Sequence, residues 1–199
     1  MQQESARRSN RDRSETTRAE LIAAARRLFI EKGYADTATP DIVAAAGVTR
    51  GALYHHFADK KALFAAVAEA EARTVAEEID RAAPDDTPTR EALIRGGEAY
   101  LAAMAEPGRT RLLLLDGPAV LGRGGMDEID DRHAARSLRA GIQFAVRAGE
   151  LPRDLPVDVA TQLLSSAFDR AALAIEAGGD ARAYGKVLAV LIDGLARLD

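Results

Sequence analysis

Leu21, Ile22, Ala25, Leu28 and Phe29 recur at i, i+1, i+4, i+7 and i+8, one face of a 3.6-residue period, and predict a helix starting at Thr16 or Thr17. Gly33 ends it as a C-terminal cap. Thr39 and Pro40, a capping residue followed by the residue best tolerated at the first helical position, open a short helix from Pro40 to Ala46 that Gly47 terminates. After Gly47 and Val48, Thr49 caps a third helix through Arg50 to His56, and Asp59 caps a fourth beginning at Lys60. Two short helices joined by a tight glycine turn form a helix-turn-helix. Ahead of all this, residues 1–15 (MQQESARRSNRDRSE) carry almost no apolar side chain and have nothing to bury, so they are read as a disordered arm.

The rest of the chain is helix and punctuation. The fourth helix runs to about residue 82, before the APDDTP segment, and a fifth from about 89 to 105, before Glu106-Pro107-Gly108. An apolar stretch from Thr110 to Leu121 is interrupted at Gly117-Pro118, and Gly122-Arg123-Gly124-Gly125 reads as a flexible loop. A long helix over about 126–148 follows, then two more over about 156–177 and 180–198, parted by Gly178-Gly179. No internal repeat or low-complexity segment is present. The expected fold class is all-α.

Composition agrees. Ala, the best helix former, accounts for 42 of 199 residues, and there is no Cys, which excludes disulfides and thiolate metal sites. No apolar stretch follows the N-terminal charges, and the run Leu112–Leu115 stops at Asp116. Neither a signal peptide nor a spanning helix is predicted, and the expected location is cytoplasmic, away from any membrane. Net charge is informative only when divided. Residues 1–61 hold 11 Lys and Arg against 8 Asp and Glu, whereas residues 62–199 hold 16 against 23. A modestly basic front and an acidic remainder face different partners. Arg7, Arg8, Arg11 and Arg13 of the arm either touch a polyanion or form a solvated tail whose acids nearly cancel them.

In a DNA-binding helix-turn-helix the second helix lies in the major groove, so its first turns need donors for base edges and small side chains that allow close approach. Residues 49–56 meet both requirements. Arg50 can reach guanine O6 and N7 as a fork, and Gly51 and Ala52 clear the way. Thr49, Tyr54 and His56 carry donors for phosphate oxygens, and His55 can reach a base edge or a thymine methyl. Lys60 and Lys61 put charge and free backbone N–H groups where a phosphate can sit, and Thr39 offers another contact. Leu53 and Phe57 are core residues; a cover for that core is the other reading of Tyr54. Adjacent His55 and His56 point about 100° apart on a helix and cannot chelate one metal, so no metal or other cofactor is expected.

The stretch AARRLFIEKGY ending at Tyr34, then Thr37, IVAAAGV over 42–48, RGALYHHF over 50–57 and DKKALF over 59–64 resemble the TetR family of bacterial transcriptional repressors. The resemblance spans about Thr17 to Phe64. It implies a helix-turn-helix DNA-binding domain over 16–64, an all-α effector-binding and dimerisation domain over 65–199, and a homodimer on a palindromic double-stranded operator. Thr39, Thr49, Arg50, Ala52, Tyr54, His55, His56 and Lys60 fall where the family touches DNA. Pro40 departs from the pattern, because many members have there a polar residue that joins the DNA contacts.

An effector domain needs an apolar cavity with a few polar groups that orient a small molecule. Tyr100, Met104, Phe144 and Phe168 are candidate walls. Asp116 interrupts an apolar run and is costly to bury unpaired; Arg132, His133 and Arg136 are the partners available, with His133 itself a candidate ligand residue. Packing within the fold accounts for each of these positions equally well. The last two helices are apolar on more than one narrow stripe, through Leu163, Leu164, Phe168, Leu188, Leu191 and Ile192 among others, and fit the implied dimer seam. The fourth helix, rooted at Lys60, would transmit ligand binding by changing the separation of the two reading heads. The expected function is a transcriptional regulator released from its operator by a small molecule; the alternative is an all-α ligand-sensing or protein-interaction module without specific operator binding. No G-x-S-x-G, H-E-x-x-H or phosphate-loop motif supports an enzyme.

Overall fold

The computed structural model describes residues 2–84 and 87–196, with side chains from residue 12 onward. Among these the secondary structure is helical without strands: α1 (Gln2–Asp36), α2 (Thr39–Ala46), α3 (Arg50–His56), α4 (Lys60–Ala82), α5 (Thr89–Met104), a π-helical segment Arg111–Asp116, α6 (Gly117–Leu121), α7 (Arg123–Arg132), α8 (Ala134–Ala148), α9 (Val157–Glu176) and α10 (Ala181–Leu195).

α1 extends back through the segment expected to be a disordered arm. Residues 2–15 contain neither Gly nor Pro, so nothing in them stops a helix nucleated by the buried Leu21–Phe29 face from propagating toward the N-terminus. Thr16 accordingly sits inside the helix, its hydroxyl donating to Asp12 O at 2.9 Å. At the other end Gly33 breaks the helix as expected, with φ +81°, a conformation that a side chain would strain. The freed carbonyls are taken up by Thr37, whose buried hydroxyl donates to Gly33 O at 2.7 Å and sits 3.1 Å from Leu28 O. Ala38, not Thr39, is the N-cap of α2; Thr39 is already helical and makes no cap bond, and Pro40 fits the first turn because its missing N–H has no partner there. Gly47, left-handed at φ +66°, turns the chain into α3, where Thr49 Oγ1 accepts from Ala52 N–H at 3.1 Å. Asp59 caps α4 in the same way through Ala62 N–H.

Three later elements differ from expectation. The GRGG segment is not a loop: Gly122 alone, at φ +82°, makes the break, and the next residue already opens α7. The long helix expected over 126–148 is two, parted at His133, whose Nε2 reaches Glu69 on α4 at 2.7 Å. A tertiary contact fixes that break, which hydrophobic period could not signal. The run 111–116 forms a wider π turn ahead of Pro118, whose ring lacks the N–H for the Leu114 carbonyl and crowds it; inserting a residue into the turn relieves that clash.

Two hydrophobic cores result. The first is built on Leu21, Phe29, Ile42, Leu53 and Phe64 and continues along α4 through Val75 to Met104, Leu112, Leu113 and Ile129, crossing the boundary expected near residue 64. The second joins α5, α8, α9 and α10 through Leu93, Ile142, Leu164, Phe168, Leu188 and Ile192. Within the first, the nearly buried Glu71 of α4 accepts from Arg26 of α1 at 2.8 and 3.1 Å and from Arg109 at 2.9 Å. Burial pushes the Glu71 carboxyl up, but the two guanidinium groups outweigh it and hold it below the ordinary range. Arg109 also donates to Ala103 O at 2.6 Å, so α1, α4 and the end of α5 meet at one carboxylate.

Candidate functional site

α3 is anchored by Leu53, which is fully buried, and presents its opposite face to solvent. Arg50 and Gly51 at its start are exposed, and Ala52 is half-buried. Tyr54 is 45% exposed, so it is not a lid on the small core; the Arg50 guanidinium lies 5.5 Å from its ring centroid. That cation–π contact pre-orients the arginine along the helix surface. His55 is exposed and its ring meets that of His56 edge-on at 5.2 Å. Burial, then His55 and Arg18, push His56 below the ordinary histidine range, so at neutral pH it offers a neutral N–H donor. Thr49 still has its hydroxyl proton to give after accepting from Ala52, and the Thr39 hydroxyl makes no hydrogen bond among the described residues. Among the described residues no three His, Asp or Glu side chains cluster as a metal site.

Lys60, one of the expected phosphate contacts, is engaged within the chain. Its ammonium donates to Tyr34 O at 2.8 Å and Thr37 O at 3.0 Å, lies 3.4 Å from Ala35 O, and sits 4.3 Å from the Tyr34 ring centroid. It closes the C-terminal end of α1. The exposed cation beside it is Lys61, one residue further into the first turn of α4.

The helical domain encloses two adjoining cavities. One of about 450 Å³ lies between α4, α5, α8 and α9, walled by Ile79, Leu93, Leu138, Phe144 and Phe168. The other, of about 360 Å³, lies between α4, α5, α7, α9 and the π-helical segment, walled by Val75, Met104, Leu113 and Ile129. Tyr100 and Ala134 line both. Of the six candidate ligand residues, Tyr100, Met104, Phe144 and Phe168 therefore border cavities, Phe144 at a rim and 53% exposed. Asp116 and His133 do not. Asp116 pairs with Arg111 at 3.5 Å rather than with Arg132, His133 or Arg136. Arg132 and His133 both bind Glu69, and Arg136 faces Asp80 at 3.8 Å.

Asp130 and Asp169, which the sequence reading missed, do line the smaller cavity. Ser165 donates to Asp130 at 2.8 Å, and the Tyr100 hydroxyl donates to Asp169 at 2.5 Å. Burial pushes the Asp169 carboxyl up to about 6, against the Tyr100 hydrogen bond and with help from Asp130 and Asp127; burial also pushes Asp130 up. The signal was present in the sequence: Asp169 follows Phe168 on a mostly apolar helix and lies one turn from Ser165, a polar interruption of the same kind as Asp116.

Residues 21–67 match the profile of the bacterial regulatory proteins of the tetR family, and residues 90–197 match the tetracyclin repressor-like C-terminal domain. A crystal structure of a TetR-family transcriptional regulator from Pectobacterium atrosepticum superposes with a TM-score of 0.73 at 35% identity, covering 94% of this chain and 95% of that one. The chain belongs to the TetR family. Among named relatives, the transcriptional repressor AcnR of Corynebacterium diphtheriae is 29% identical over 182 residues, 86% of this chain and 87% of that protein. AcnR of Corynebacterium efficiens is 40% identical over 68 residues, which span 36% of its length and 34% of this chain. The matched N-terminal segment takes in α2, α3 and the start of α4, and the matched C-terminal segment supplies most of the walls of both cavities, with α4 supplying the rest.

Proposed function

We propose that this protein is a cytoplasmic transcriptional repressor that binds a palindromic double-stranded operator as a homodimer and is released by a small molecule held in the helical domain. The observation that carries the reading is the course of α4. It starts at Lys60, beside the reading helix, and contributes Ala72 and Val75 to the smaller cavity and Ile79 and Asp80 to the larger. A ligand that favours one tilt of α4 thereby favours one position of the head. In that mechanism Arg50 reads a base, and Thr39, Thr49, Tyr54, His56 and Lys61 hold phosphates.

The dimer is supported by α9 and α10. Leu164, Phe168, Leu188 and Ile192 turn into the subunit's own core, whereas Val159, Leu163 (68% exposed), Val187, Val190 (67% exposed) and Leu191 form an apolar face left uncovered by the described residues. Two such faces pack as a four-helix seam, and half-sites about 34–36 Å apart then match the two heads.

Selection of bound duplexes from a random pool at near-physiological salt tests the reading. A recovered palindrome supports it, and Arg50→Ala then loses about 1–3 kcal/mol of discrimination at one base pair per half-site. Binding without sequence preference that vanishes as salt rises would favour the ligand-sensing or protein-interaction module instead.

A further inference from the structure

The smaller cavity combines two features that the proposed repressor function does not use: walls of apolar side chains, and carboxylates with no counter-ion. Met104, Leu113, Leu114 and Ile129 form the apolar part. Asp130 and Asp169 face the same space from α7 and α9; Asp169 accepts from the Tyr100 hydroxyl alone, and Asp130 from the Ser165 hydroxyl and the Ala135 backbone N–H. Among the described residues no Lys, Arg or His forms an ion pair with either of them. The arginines that border the cavity, Arg123 and Arg170, are exposed, as is Asp127. A carboxylate taken out of water is stable only when paired or hydrogen-bonded to saturation, and here Asp169 has one neutral donor and Asp130 two, none of them charged.

From this geometry we infer that the smaller cavity binds a monovalent organic cation, its ammonium group between Asp130 and Asp169 and its apolar body against Met104, Leu113 and Ile129. At about 360 Å³ the space is of small-molecule size, and it takes a ring with a compact ammonium head. The Tyr100 ring, which lines the cavity, adds an aromatic face for the cation. A hard metal ion does not fit, because such ions need six or more oxygen ligands and most of this wall is hydrocarbon. A carboxylate ligand does not fit either, since its charge would lie against two like charges.

The assignment rests on reading the helical domain as the effector domain, and its test is independent of operator binding. Titration calorimetry on the full chain at pH 7.5 compares benzyltrimethylammonium with neopentylbenzene, its neutral isostere. The cation is expected to bind at least tenfold more tightly. Asp169→Asn and Asp130→Asn, made separately so that one suffices if the other misfolds, are each expected to weaken cation binding tenfold or more and to leave the isostere within twofold. Equal or tighter binding of the neutral isostere, or cation binding unchanged in both variants, overturns the inference. Failure to select any operator sequence would overturn the repressor reading and leave these binding ratios as they are.

Discussion

Lys60 and Lys61 are adjacent and chemically identical, yet their environments separate their roles. The Lys60 ammonium satisfies carbonyls at the end of α1, so Lys60→Ala leaves those acceptors without a charged donor, an expected loss of about 1.5–3 kcal/mol in urea unfolding. Lys61→Ala should leave unfolding unchanged, weaken binding to every DNA sequence about equally and lower the salt slope by about one. That split was not legible in the sequence, because both lysines match a first-turn phosphate contact and only the fold brings Tyr34 and Thr37 under one of them. The Thr49 cap was legible, because the hydroxyl and the N–H it serves lie within one turn. Asp169 gives a pH signature of determined sign. Its folded-state carboxyl is pushed up to about 6 from the 3.8 of a free aspartate, so between those values the folded chain holds a proton that the unfolded chain has released. Stability therefore falls as pH rises through that window, by up to about 3 kcal/mol from this group. Asp169→Asn should melt above the parent at pH 7.5, with the gap closing by pH 4.

At the level of elements, hydrophobic period and caps placed α2 to α5 to within a residue or so, because each is bounded by its own Gly, Thr, Asp or Pro. They failed where a boundary depends on another part of the chain, as at His133, held by Glu69 on α4. The helices around the larger cavity also depend on what faces them. Gly97 of α5 stands so close to Phe168 of α9 that an added Cβ would lie 2.5 Å from the ring. Gly97→Ala therefore gains up to about 1 kcal/mol in helix propensity but overpacks a buried aromatic, typically about 1–3 kcal/mol. A net loss of about 1 kcal/mol in thermal or urea melts is expected, with weaker binding of any ligand in that cavity. A gain in stability would show that Phe168 has room to move.

The whole molecule is organised by what α9 and α10 leave uncovered. If their outer apolar face is the seam, Leu163→Asp together with Val190→Asp should give a monomer by sedimentation at micromolar concentration while α9 and α10 keep their inner packing. Operator affinity should fall with dimerisation, since a single head reads half a site. Wild-type protein sedimenting as a monomer would sink the seam. The sequence carried the apolar excess of these helices but not its partition, because burial inside and burial between subunits select the same side chains. The same holds for the Glu71 cluster, whose members Arg26 and Arg109 are 83 positions apart and become neighbours only when α1 docks on α4.

The lysine that closes α1 also sets a gear ratio. Because Lys60 belongs to the first turn of α4 and grips the end of α1, the head and that helix turn as one solid piece. α4 has 23 residues, about 35 Å of lever, so a tilt of about 10° at its far end sweeps the head through about 6 Å. On the proposed palindromic operator that is nearly two base-pair steps, enough to put one head out of step with its half-site while the cavity walls shift by little more than the width of an atom.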